Sequence, residues 1–149
     1  MVKNIDKKRV IIICTGNSIR SQIAEGFFKK YKDNWEVKSA GTNPKGLNIL
    51  AVYVMLEKGI DISDQKSKNI NQYIDSKFDY AITVCDNAKE NCPYFPGVAT
   101  YLHWSLPDPD IFIGNEEDRI NEFRKVRDAI ENKILNFLKE ENLKYKSYF

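Results

Sequence analysis

A chain of 149 residues with 42% apolar and 30% charged residues can build one folded unit with its own core, and it is too polar for a membrane protein. Its 23 basic and 21 acidic residues leave a net charge of +2, which excludes the strongly basic surface of a dedicated nucleic-acid binder. The first apolar run, Val10 to Ile13, is too short for a signal-peptide core or a membrane span. A cytoplasmic monomer is expected, with its three cysteines reduced at rest.

Arg9 to Cys14 reads as a buried parallel strand, because Val10-Ile11-Ile12-Ile13 is β-branched and has no polar alternation. Thr15-Gly16-Asn17-Ser18 interrupts the pattern. Ile23, Phe27, Phe28 and Tyr31 then fall at helical spacing, so a helix starts near Arg20 or Ser21. Trp35 to Ala40 reads as a second strand, Gly41 to Pro44 as a turn, and Leu47 to Glu57 as a helix stopped by Gly59. Residues 60–77 are polar and give no clear pattern. Phe78 to Val84 forms a third strand ending at Cys85, Asp86 to Pro96 a loop or short helix, and Val98 to Trp104 a fourth strand. Two prolines in Leu106-Pro107-Asp108-Pro109-Asp110 imply an extended segment. Asn115 caps a long last helix striped by Ile120, Phe123, Val126, Ile130, Ile134, Phe137 and Leu138. This alternation predicts an α/β fold: a single domain over 1–149, with a four-stranded parallel sheet and helices on both faces.

Ligands of such sheets bind outside the carboxyl ends of the strands, where Cys14-Thr15-Gly16-Asn17-Ser18-Ile19-Arg20-Ser21 lies. Successive backbone N–H groups leading into a helix N-terminus form a concave anion site. Gly16 removes a Cβ from the turn, and Asn17 tolerates left-handed geometry. Arg20 supplies a planar fork matched to two oxyanion oxygens, and the same positive field favours Cys14 as a thiolate. Ser18 and Ser21 add hydroxyl donors. A packed cysteine before an ordinary turn is the plain alternative, but the order strand, Cys, small polar loop, Arg, helix favours a tetrahedral-oxyanion site.

The run Cys14 to Gly26 resembles the signature of thioredoxin-coupled arsenate reductases, which share the low-molecular-weight protein tyrosine phosphatase fold. The resemblance extends through Ser39-Ala40-Gly41, Gly59 to Ser63, Thr83-Val84-Cys85, Asn91-Cys92-Pro93, and His103-Trp104 to Asp108-Pro109, covering nearly the whole chain. It implies arsenate as substrate and thioredoxin as electron donor; no cofactor and no metal are expected for this chain. The loop alone does not separate reductase from phosphatase. The other two cysteines do: a phosphatase needs one reactive thiol, whereas reduction of an arsenic–sulfur adduct uses further thiols to carry a disulfide away. The resemblance casts Cys14 as nucleophile, Cys85 as the thiol that attacks it, and Cys92 as the partner that closes a Cys85–Cys92 disulfide for thioredoxin.

The resemblance also makes Asp108, in its Asp-Pro step, the general acid, with Asp110 as the alternative. Ile19 stands where many members carry a further cysteine outside the relay. Some members bind potassium beside the loop. Asn17, Glu25 and Ser39 match that site, but Lys66 and Lys68 replace its last two oxygen ligands, so an ammonium is expected to take the ion's place. The alternative reading is a phosphatase acting on phosphotyrosine or a small phosphoester, although no tyrosine flanks Asp108. A non-catalytic oxyanion-binding module would have no use for Cys85 and Cys92. Zinc is disfavoured by the Cys85–Cys92 spacing and the single histidine, His103, which is expected to pack or bond locally. Seven residues of helix would part the two cysteine Cα atoms by roughly 10 Å, and an extended chain by more, against the roughly 4.4–6.8 Å of a disulfide. The segment is therefore expected to loop and to change shape during turnover.

Overall fold

A computed structural model of the chain describes residues 7–86, 95 and 97–146. Strands β1 (Arg9–Cys14), β2 (Glu36–Gly41), β3 (Phe78–Thr83) and β4 (Val98–His103) form a wholly parallel sheet in the order β2-β1-β3-β4. The helices are α1 (Arg20–Tyr31), α2 (Ile49–Leu56) and α3 (Glu116–Lys146). Among the described residues, no helix is long and apolar enough to cross a membrane.

The strand order sets the position of the functional end. From β1 the chain passes through α1 to β2 on one side, and later returns to β3 on the other side of β1. The connections diverge at the carboxyl end of β1, where open α/β sheets form their ligand crevice. Cys14 is the last residue of β1 and pairs in register with Gly41, the last of β2.

Alternation along β1 divides the core. Val10 and Ile12 face a cluster with Ile23, Phe27 and Phe28 of α1, Val54 and Met55 of α2, and Phe123, Ile130 and Phe137 of α3. Ile11 and Ile13 face the other way, toward Ala40, Ile70, Ala81 and Phe95. Three α-helices thus cover one face, while a 3-10 helix at Ile70–Tyr73 contributes to the other. Phe27 and Phe28 are wholly buried, each worth about 1.5–3 kcal/mol relative to exposure.

The polar segment 60–77 carries Ile62 and Ile70, which each enter a different core cluster, with Ile60 and Tyr73 packed against the same two. Gly41 is a strand residue, not part of the turn expected at 41–44, and α2 begins at Ile49, two residues beyond Leu47, with the Asn48 side chain accepting from the Leu50 N–H. Asn115 caps α3 by accepting from the Asp118 N–H at 2.8 Å. The segment expected to be extended through Asp110 is not so throughout: Pro109–Ile111 forms a single 3-10 turn capped by Asp108. Proline is compatible with the first position of a helical turn, where its missing N–H leaves no bond unmade.

The last residue of α1 ties it to α3. The Tyr31 hydroxyl donates to Glu131 Oε2 at 2.6 Å, and this bond, with burial and the neighbouring negative charge, pushes the Tyr31 pKa up to about 12. Above the ordinary tyrosine value of 10.0 the unfolded chain has released this proton while the folded protein retains it. The fold should therefore lose stability as pH rises from 10 to about 12. Urea unfolding across that range should show a shallower decline in Tyr31→Phe, and an identical decline would show that the bond carries no such linkage.

Candidate active site

The loop between β1 and α1 is held from behind. Thr15 O accepts from the Asn43 N–H at 2.9 Å, Gly16 O from the Lys45 N–H at 2.9 Å, Ser18 O from the Asn48 N–H at 3.1 Å and Ile19 O from the Ile23 N–H at 2.9 Å. Asn17 O accepts from Gln22 Nε2 at 3.0 Å. Five consecutive carbonyls are thus bonded to α1 or to the chain after β2. An arrangement that ties up the carbonyls of a tight loop suits its N–H groups to line a concave, electropositive site.

Asn17 organises the interior. Its φ of 43° makes it the one non-glycine residue with positive φ among those described. Its backbone N–H donates to Cys14 Sγ at 3.1 Å. Its amide Nδ2 donates to Ser21 Oγ at 2.8 Å and Ser39 Oγ at 2.9 Å, and its Oδ1 accepts from the Lys68 N–H at 2.7 Å. Ser21 Oγ lies 2.9 Å from Cys14 Sγ. Because Asn17 already donates to that hydroxyl, its hydrogen is available to the sulfur. Cys14 is a free thiol, 2% exposed, facing two donors that complement a negative charge.

The network continues behind the loop. Ser39 Oγ donates to Glu25 Oε1 at 2.5 Å, and Glu25 also pairs with Lys29 at 2.5 Å and Lys68 at 3.8 Å. Lys68 Nζ donates to Lys66 O at 2.6 Å. The Lys68 side chain therefore places its ammonium beside Glu25, one bond from Ser39 and two from Asn17, whereas Lys66 contributes only its carbonyl.

Cys14, Thr15, Gly16, Ser18, Ile19 and Arg20 line a cavity of about 240 Å³. Lys45, Asp86, Asp108, Asp110 and Ile111 complete its lining. Arg20, 5% exposed, donates from Nη1 to Leu106 O at 3.0 Å, and its Nη2 lies 3.9 Å from Asp108 Oδ2. Asp108 Oδ1 accepts from the Asp110 N–H at 3.0 Å, so one carboxylate oxygen holds the 3-10 turn while the other faces the arginine. Asp110 is paired with Arg119 at 3.0 Å. His103 lies outside this cavity, with Nδ1 2.6 Å from Thr83 Oγ1.

Cys85 follows β3, where the Val84 N–H still bonds Ile13 O at 2.9 Å, so it stands at the same carboxyl rim as Cys14. It is wholly buried and engaged in a disulfide, and its neighbour Asp86, rather than Cys85 itself, reaches the cavity wall. Cys92, and the expected change of shape between Cys85 and Cys92, lie outside the described residues.

Residues 9–147 match the family model of the low molecular weight phosphotyrosine protein phosphatases. The chain belongs to this family. Among its relatives in the family, the arsenate reductase of Halalkalibacterium halodurans is 44% identical over 134 residues, covering 89% of this chain and 96% of that protein. A solved structure described as an arsenate reductase in the phosphate binding state superposes with a TM-score of 0.76 at 31% identity, covering 89% of this chain and 98% of its own. The thioredoxin-dependent arsenate reductase of Corynebacterium glutamicum superposes with a TM-score of 0.69 at 28% identity, covering 93% of this chain and 63% of its own.

Two residues at this site carry no local signal in the sequence. A Cβ on Gly41 would stand 2.4 Å from Thr15 O and 2.9 Å from Cys14 O, so only glycine lets β2 end against the loop. Lys45 joins the cavity through its backbone bond to Gly16, a contact across 29 residues (45 minus 16) that no short-range pattern encodes.

Proposed function

We propose that this protein reduces arsenate to arsenite through a relay of Cys14, Cys85 and Cys92 that thioredoxin regenerates. The observation that carries the reading is the pair of sulfurs at one rim of the sheet: Cys14 is a free thiol in the oxyanion loop, and Cys85 at the end of the adjacent strand is engaged in a disulfide. A relay of this kind ends with the nucleophile free and the second cysteine oxidised. The arsenate reductase names of the relatives, and the thioredoxin-dependent neighbour, support the same chemistry.

Arsenate binds in the loop with two oxygens on the Arg20 fork and the others toward the backbone N–H groups and Ser18. The Cys14 thiolate attacks arsenic, and an arsenate oxygen leaves as water with a proton from Asp108. The thiolate of Cys85 then attacks Cys14 Sγ. The sulfur–arsenic bond breaks with its electron pair remaining on arsenic, so As(V) becomes As(III) and arsenite leaves behind a Cys14–Cys85 disulfide. Cys92 attacks Cys85, returning Cys14 as a thiolate, and a thioredoxin dithiol reduces the resulting Cys85–Cys92 disulfide. Two electrons pass from thioredoxin to arsenic in each cycle. Dependence on a reducing dithiol protein suits a cytoplasmic enzyme.

Phosphoester hydrolysis is the second reading, favoured by the family's phosphatases and by an Asp108 carboxylate facing the arginine of the loop. Its weakness is the cavity wall, where Ile111 is the bulky side chain beside Asp108 and no tyrosine lines the cavity among the described residues. Arsenate turnover coupled to thioredoxin, thioredoxin reductase and NADPH should proceed, with aryl-phosphate hydrolysis far slower. Efficient aryl-phosphate hydrolysis without arsenate-dependent NADPH oxidation would reverse the assignment.

A further inference from the structure

We propose that Lys45 is a specificity-determining residue of this site, contacting the oxyanion and selecting for its second negative charge. The proposal rests on the oxyanion half of the functional reading and not on the thiol relay.

The geometry fixes Lys45 to the loop. Its N–H bonds Gly16 O at 2.9 Å, and two residues earlier the Asn43 N–H bonds Thr15 O at 2.9 Å, so this stretch is pinned to the loop's back. The side chain then crosses over the loop. A Cβ added to Gly16 would meet Lys45 Cδ at 3.2 Å, and Lys45 is part of the cavity lining beside Cys14 and Arg20. Glycine at position 16 has a reason here beyond backbone freedom, because the space its side chain would fill holds the lysine stem.

The charges around the cavity give the ammonium its task. Asp86, Asp108 and Asp110 contribute three carboxylates to the lining, against Arg20 and Lys45. Arg119 answers Asp110, and Arg20 is engaged by Leu106 O and faces Asp108. Lys45 is exposed, and among the described residues its ammonium has no hydrogen bond or ion pair. Lys29 and Lys68 are different, since both are paired with Glu25. A doubly charged oxyanion entering between these aspartates gains a cation that no described group already holds. A singly charged or neutral ligand gains less, which makes Lys45 a selector of charge.

The test uses the full-length reduced enzyme and reads Cys14 itself. Cys14 is alkylated with neutral iodoacetamide and with anionic iodoacetate, with and without inorganic phosphate, and the modified residue is located by mass spectrometry. In Lys45→Gln the phosphate concentration that half-protects Cys14 should rise roughly three- to tenfold, the range given by a unit charge about 6 Å from a dianion in water with salt screening. The iodoacetate-to-iodoacetamide rate ratio should fall severalfold while the iodoacetamide rate stays near wild type. Lys45→Arg should restore both readouts. Equal phosphate protection of wild type and Lys45→Gln overturns the role of Lys45 alone. Equal loss of both alkylation rates means that the loop has been deformed and also overturns it. Failure of phosphate to protect wild-type Cys14 overturns the oxyanion reading, and the role of Lys45 with it.

Discussion

Cys85→Ser should abolish thioredoxin-coupled arsenate reduction, by more than about a thousandfold, while any aryl-phosphate hydrolysis stays within a few-fold of wild type. Hydrolysis of a phosphocysteine needs water and the loop, whereas release of arsenite needs a thiolate to attack Cys14 Sγ. Serine keeps nearly the volume of cysteine at a wholly buried position, so the comparison isolates sulfur chemistry from packing. The substitution also removes the disulfide that engages Cys85, so thermal unfolding should be recorded alongside. Parallel loss of both activities would make Cys85 a structural residue and defeat the relay.

Arg20→Lys should lower kcat/KM for arsenate by about a hundredfold or more, the scale seen when one preorganised oxyanion donor is lost. Charge is conserved, but the planar two-pronged donor set is not. The structure adds a second cost, because Arg20 Nη1 also donates to Leu106 O, two residues before Asp108. A lysine ammonium cannot hold that carbonyl and grip two substrate oxygens together. The effect should therefore appear in both oxyanion affinity and turnover. Near-normal phosphate protection of Cys14 in this variant would remove Arg20 from the binding site.

What could be read in the sequence depended on how local the determining contacts are. The run Val10 to Ile13 could only be a buried strand, because all four residues are wholly buried on a sheet covered on both faces. The stripe from Phe123 to Leu138 repeats at helical spacing because it lies along one helix packed on one core. The loop was legible for a related reason: Cys14, Asn17, Arg20 and Ser21 lie within eight residues, so their order in the chain is nearly their order in space.

Contacts between distant segments left little local trace. Gly41 reads as an ordinary turn glycine until Thr15 O is seen 2.4 Å from where its Cβ would stand. Ile62 and Ile70 lie in a mostly polar stretch without a regular apolar period, and only the positions of β1 and α1 show which core each enters. Pro109 departs from the expected extended segment for a different reason. The rule that proline opposes helix holds for helix interiors, and here it occupies the first position of one turn.

Lys68 gives the loop a brace that belongs to the polypeptide. A dissociable ion occupies its site only to the extent that the medium supplies it, but a tethered ammonium is present at a fixed local concentration. If the ammonium stands in for such an ion, the geometry around Glu25, Ser39 and Asn17 should depend little on the ionic composition of the surroundings. The exchange has an alkaline limit, because an ammonium, unlike a bare metal ion, can lose a proton. Burial holds the Lys68 pKa below the ordinary lysine value; Glu25 opposes this, and the charges of Lys29 and Lys38 add to it. As pH rises, the brace should lose its charge before the exposed lysines do, so the support behind Cys14 should weaken in base rather than with changing salt.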